Sequence, residues 1–150
     1  MASPEIVTTT SELETFALGE KVAATLQPGT FVLLHGDLGA GKTAFVRGMA
    51  AGLGANPEDV SSPTFVLIQH YKGRIPLIHV DLYRLESGAA VYDLGLEELV
   101  NGAVVAIEWA ERLPRKLADS VTVEIEDLGG DARRITFSEK RGSDPLYSDR

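Results

Sequence analysis

The sequence predicts an α/β domain of three layers, built on a mixed sheet that is parallel at its centre and antiparallel toward its edges. Three observations carry this expectation. An apolar run of strand length, Thr30 to His35, is followed by a glycine-rich turn and then by an amphipathic helix. A second apolar run, Ala103 to Trp109, has the continuous hydrophobicity of a strand covered on both faces. Two further pairs of β-rich segments are each joined by a short stretch containing glycine, which is hairpin spacing.

Taken in order, Glu5 to Thr9 reads as a short strand. Ser11 and Glu14 form a Ser-x-x-Glu capping box, so a helix starts there and runs to about Gln27, where Pro28-Gly29 ends it. The Thr30 to His35 strand and the turn over residues 36–43 lead into a helix in which Val46, Met49, Ala50 and Leu53 recur at i, i+3, i+4 and i+7. Gly54 supplies its stop. Thr64 to Tyr71 and Ile75 to Leu82 form an antiparallel pair around Lys72-Gly73-Arg74. Ala89 to Val100 reads as helical, Ala103 to Trp109 as a central strand and Glu111 to Leu117 as a short helix. Val121 to Asp127 and Arg133 to Ser138 flank Leu128-Gly129-Gly130-Asp131 as a second hairpin, and residues 139–150 are expected to form a frayed polar tail.

The composition bounds what this domain does. The chain has 150 residues, 44% hydrophobic and 24% charged, which fits one globular domain spanning residues 1–150. It has no cysteine, which excludes disulfides, thiolate metal sites and a cysteine nucleophile. No stretch approaches the roughly 18 apolar residues of a membrane span, and the N-terminus lacks a basic and then apolar leader, so a cytoplasmic protein is expected. With 22 acidic against 14 basic residues the formal charge is -8, which disfavours stand-alone nucleic-acid binding, because that binding draws on Lys and Arg neutralising phosphates.

Chemistry concentrates on the turn. Gly36-Asp37-Leu38-Gly39-Ala40-Gly41-Lys42-Thr43 matches G-x-x-x-x-G-K-[ST], placed after an apolar strand and before an amphipathic helix, as a P-loop NTPase domain requires. Glycines let successive backbone N–H groups converge on phosphates, and the helix N-terminus adds its positive dipole end. Lys42 is then expected to reach the β- and γ-phosphates, and the Thr43 hydroxyl to join the shell of Mg2+. Such a site needs a carboxylate at the C-terminal end of a neighbouring strand. Asp81 and Glu108 both qualify, and Glu108 is the better metal ligand because its strand looks central and parallel. Which of the two positions the attacking water stays open.

Thr64, in a loop stiffened by Pro63, is a candidate sensor of the γ-phosphate and magnesium. Trp109 either neighbours the nucleotide or fills the core. His35, His70 and His79 lack ligand spacing and read as packing. The absence of Asn-Lys-x-Asp makes adenine the default base, so ATP is the expected nucleotide. No separate arginine-rich lid segment is evident, which weakens a kinase reading, since kinases close a lid against water. A small phosphotransferase acting on a metabolite and a nucleotide sensor without turnover remain the alternatives.

Beyond the P-loop, four more motifs follow in order: Ser62-Pro63-Thr64-Phe65, His79-Val80-Asp81-Leu82-Tyr83-Arg84-Leu85, Gly95-Leu96-Glu97-Glu98 and Ile107-Glu108-Trp109-Ala110. Together, from about Ser11 to Ser138, they resemble the TsaE (YjeE) family of bacterial P-loop ATPases. The resemblance implies an accessory ATPase for placing threonylcarbamoyl on the tRNA adenosine beside the anticodon, working with TsaD and TsaB and slow in isolation. It also implies a nucleotide site of Asp37, Leu38, Gly39, Ala40, Gly41, Lys42, Thr43 and Ala44 with Ser11 and Trp109, a metal held by Thr43 and Glu108, and a catalytic arrangement of Lys42, Thr64, Asp81 and Glu108.

Overall fold

The computed structural model describes residues 5–36, 41–60, 68–82, 95–110, 113, 117 and 119–140. The strands are β1 (Glu5–Thr9), β2 (Thr30–His35), β3 (Ile68–Tyr71), β4 (Leu77–Asp81), β5 (Val104–Glu108), β6 (Ser120–Gly129) and β7 (Ala132–Lys140). The helices are α1 (Glu12–Ala23), α2 (Lys42–Gly52) and the single turn α3 (Leu96–Leu99), with a 3-10 turn at Pro57–Asp59. Among the described residues the strands form one sheet in the order β1-β7-β6-β2-β5-β4-β3.

The centre, β6-β2-β5-β4, is parallel, whereas β3 pairs with β4, β7 with β6 and β1 with β7 in antiparallel fashion. This is the mixed, centrally parallel sheet that the apolar runs predict. Two antiparallel steps lead from β6 to β1, so β1 points the same way as β6, β2, β5 and β4. All five therefore end at one edge of the sheet, which is where ligands bind in open α/β folds.

Side chains alternate between the two faces of each strand. Val32, Leu34, Leu77, Val104 and Ala106 point into a core with α1 and α2, whereas Phe31, Ile78, Val80, Val105 and Ile107 point into a second core with Leu96, Ala110 and Leu117. The sheet is thus the middle of three layers. The predicted face of α2 is fully buried: Val46, Met49, Ala50 and Leu53 are each 0% exposed. Removing each larger apolar side chain from water contributes about 1.5–3 kcal/mol.

Helices α1 and α2 approach closely enough to require glycine. A methyl group on Gly48 would stand 1.9 Å from the Phe16 carbonyl oxygen, and one on Gly19 would stand 2.3 Å from that of Phe45.

Several boundaries differ from the sequence reading. Helix α1 stops at Ala23, not near Gln27, because the chain tightens into i-to-i+3 bonds, Thr25 N–H donating to Val22 O and Leu26 N–H to Ala23 O. Its capping box reaches one residue further back than the motif predicts. Ser11 Oγ accepts from Glu14 N–H at 3.0 Å, but the Glu14 carboxylate accepts from the N–H and hydroxyl of Thr10, at 2.7 and 2.9 Å. Strand β7 runs to Lys140, so Glu139 and Lys140, expected in the tail, instead pair with Val121 and Ser120. The strand segment 64–67, the helix over 89–94, most of the helix over 111–117 and the tail from 141 lie outside the described residues.

Candidate nucleotide site

At the shared strand edge, Gly41 has φ +101°, a left-handed conformation suited to glycine, and it is the N-cap of α2. Having no side chain, Gly41 leaves the first N–H groups of α2 free of a side-chain cap, which is the local requirement for meeting an anion there. Lys42 and Thr43 open the helix, and Ala44 follows, buried. Asp37, Leu38, Gly39 and Ala40 lie outside the described residues, as does Thr64.

Parallel pairing sets the carboxylates. Asp81 is the register partner of Glu108, and Leu34, the next-to-last residue of β2, partners Glu108 on its other side. Ala106 faces the core under α2, so Glu108, two residues on, shares that face, as do His79 and Asp81 beside them. The two candidates therefore stand side by side on the face that α2 covers.

Glu108 is 5% exposed, Lys42 8% and His79 4%. Lys42 Nζ lies 3.6 Å from Glu108 Oε1 and 5.4 Å from the centroid of the Trp109 ring, a cation-π placement. Glu108 Oε2 lies 2.6 Å from His79 Nε2. With Glu108 ionised it is the acceptor, so the proton of this bond resides on Nε2. Burial pushes the Glu108 carboxyl up, but the hydrogen bond and charge of His79 and then the Lys42 ammonium outweigh it, and the net displacement is below the usual carboxylate value. Glu108 is thus held as an anion.

Trp109 has φ +61°, a conformation that costs a non-glycine residue on the order of 1–3 kcal/mol and that surrounding structure must hold in place. Its ring meets both Lys42 and the second core.

Two residues escaped the sequence reading. His79 reads there as packing, yet its ring nitrogen holds Glu108. The available signal was its position two residues before Asp81, on the same face of the same strand. Arg133 is the other. Its Nη1 donates to Asp127 Oδ1 at 3.1 Å and to the carbonyls of Gly130 and Ala132 at 2.8 Å each, and a methyl group on Gly41 would meet its Nε at 3.4 Å. In the sequence it is an ordinary charge after a hairpin turn.

Ser11 caps α1 just past the end of β1, whose last residue, Thr9, is the register partner of Arg133. The start of α1 therefore reaches the same edge of the sheet as Gly41. A hydrogen bond of 2.8 Å between the buried Thr9 and Thr15 hydroxyls fixes β1 to α1.

A family model described as threonylcarbamoyl adenosine biosynthesis protein TsaE matches residues 9–135. The tRNA threonylcarbamoyladenosine biosynthesis protein TsaE of Treponema pallidum is 43% identical over 130 residues, covering 85% of this chain and 96% of that protein. Its counterpart in Nostoc is 48% identical over 116 residues, covering 73% and 70%. The crystal structure of YdiB from Bacillus subtilis matches with a TM-score of 0.72 at 33% identity, covering 99% of this chain and 94% of that one. The parallel strand edge, the Lys42–Glu108 pair at the start of α2 and these matches lead to one conclusion: the chain belongs to the TsaE family of P-loop nucleotide-binding proteins.

Proposed function

We propose that this protein is a magnesium-dependent ATPase of tRNA threonylcarbamoyladenosine biosynthesis, acting with TsaD and TsaB. The family places the chain in that biosynthesis, a pathway role that implies partner proteins. The observation that carries the ATPase reading is the contact of Lys42, which precedes Thr43 at the start of α2, with Glu108, the register partner of Asp81.

In this reading the turn from Asp37 to Ala44 binds the triphosphate through backbone N–H groups, with Ser11 and Trp109 beside the nucleotide. Lys42 moves from Glu108 to the β- and γ-phosphates. Thr43 and Glu108 supply a hydroxyl and one ionised carboxylate, an oxygen-donor set that suits Mg2+, which usually keeps several waters and takes further oxygens from phosphates. When bound, the metal would neutralise charge developing on the transferred phosphoryl group. Asp81, the register partner of Glu108, orients water in this reading, and Thr64 senses the γ-phosphate. The charge of -8 favours leaving tRNA contact to a partner.

Reconstitution tests the proposal. Adding this chain with ATP should sustain many turnovers of tRNA threonylcarbamoylation by TsaD and TsaB, and Lys42→Ala should abolish the gain. Unchanged turnover on adding the native chain would show the reading to be wrong.

A further inference from the structure

We infer that His79 is a positioning residue for Glu108: it anchors one carboxylate oxygen so that the other would be left available to the metal. The inference rests on the magnesium role proposed above for Glu108.

The two oxygens of Glu108 are held differently. Oε2 lies 2.6 Å from His79 Nε2, a short hydrogen bond between two buried groups. Oε1 faces Lys42 Nζ at 3.6 Å, beyond good hydrogen-bond length, so that contact is an ion pair rather than a fixed bond. One oxygen is anchored and the other is exchangeable. When Lys42 leaves for a phosphate, Oε1 is the atom exposed for ligation, while His79 retains the orientation of the group.

The sheet explains why a histidine serves here. His79 is the register partner of Ala106, whose methyl group leaves space along the face, and the imidazole reaches from there toward the end of β5, where Glu108 stands beside Asp81. A shorter side chain at position 79 would stop below the carboxylate. Hydrogen bonds that orient a metal-ligating carboxylate are commonly worth about 10- to 100-fold in metal affinity.

The test compares three variants by calorimetry with ADP, with EDTA present and across a magnesium titration. His79→Gln keeps an N–H donor at about the reach of Nε2. His79→Asn keeps the polarity but falls short of it, and His79→Leu removes the donor. We expect all three to bind ADP without metal within about twofold of native. The magnesium needed for half of the metal-dependent gain in ADP affinity should rise about 10- to 100-fold in His79→Asn and His79→Leu, and within about threefold in His79→Gln. Circular dichroism verifies folding, and if His79→Leu fails to fold, the Asn and Gln pair still decides. Equal magnesium requirements for Asn and Gln, both near native, would overturn the inference and leave the functional reading intact. A native protein whose ADP affinity ignores magnesium would overturn that reading, and this inference with it.

Discussion

Glu108→Gln removes a charge without changing the shape of the side chain, and it should tighten metal-free nucleotide binding. Lys42 Nζ sits 3.6 Å from Glu108 Oε1 with both side chains almost wholly buried. Coulomb's law gives about 4–5 kcal/mol for unit charges at that distance with an effective dielectric of about 20. Desolvation of the two groups offsets much of this, so the pair holds Lys42 by a net of about 1–2 kcal/mol. In the role proposed for it, Lys42 has to leave this carboxylate before it can reach a phosphate. With glutamine there, that departure costs little, and one negative charge facing the phosphates is gone. The dissociation constant for ADP in EDTA should therefore fall about 5- to 30-fold. With magnesium the order should reverse, because in the role proposed for it Glu108 lends the metal a carboxylate that the variant lacks, and phosphate release should drop about 100-fold or more. Calorimetry with and without magnesium measures both arms. If the folded variant binds metal-free ADP no more tightly than native, the ion pair does not restrain Lys42 and the reasoning is refuted.

Three other outcomes follow from the same geometry. Gly48→Ala puts a methyl group 1.9 Å from the Phe16 carbonyl oxygen and 2.9 Å from the Glu20 nitrogen, so α1 and α2 must separate. The cost should be about 3 kcal/mol, or about 6–12 °C in Tm, and a melt within about 2 °C of native would show the contact to be soft. The depressed Glu108 carboxyl has a definite sign in acid: its stabilisation is present above the unfolded value of about 4.3 and is lost as pH falls through the lower folded value. Native protein should therefore lose stability more steeply than Glu108→Gln below about pH 4, and urea midpoints of equal slope would contradict this. Trp109 is the only tryptophan, and its ring faces Lys42 Nζ, so Lys42→Met should shift its emission and nucleotide should shift native emission in the same direction. No change in either would separate Trp109 from the site.

The central strands, the buried face of α2 and the P-loop were legible because each is written locally. An apolar run states burial on two faces, i, i+3, i+4 spacing states a helix face, and G-x-x-x-x-G-K-[ST] states a mechanism in eight residues. Placing Asp81 and Glu108 at strand ends was also local. Their adjacency was not, because it depends on register across β4 and β5, which no single segment encodes. The partner of His79 is hidden for the same reason. A buried histidine in an apolar strand looks like packing until the neighbouring strand is aligned and Glu108 appears diagonally above it. The close approach of α1 and α2 was likewise hidden, since Gly19 and Gly48 weaken their own helices and give their reason only in each other's presence.

Strand direction, rather than any single contact, makes this edge a site. Four parallel strands, β6, β2, β5 and β4, would by themselves bring Glu124 beside His35 and Glu108 beside Asp81. The antiparallel strand β7 then reverses the chain once and β1 restores it, so Thr9 ends at the edge where β2 ends. Because Thr9 pairs with Arg133, and Arg133 lies against Gly41, the start of α1 and the tip of the last hairpin are both tied to the N-cap of α2. A β1 that ran the other way would satisfy as many backbone hydrogen bonds but would carry Ser11 to the far end of the sheet. The capping serine and the P-loop lysine, 31 positions apart, thus share an edge because of two reversals in strand order.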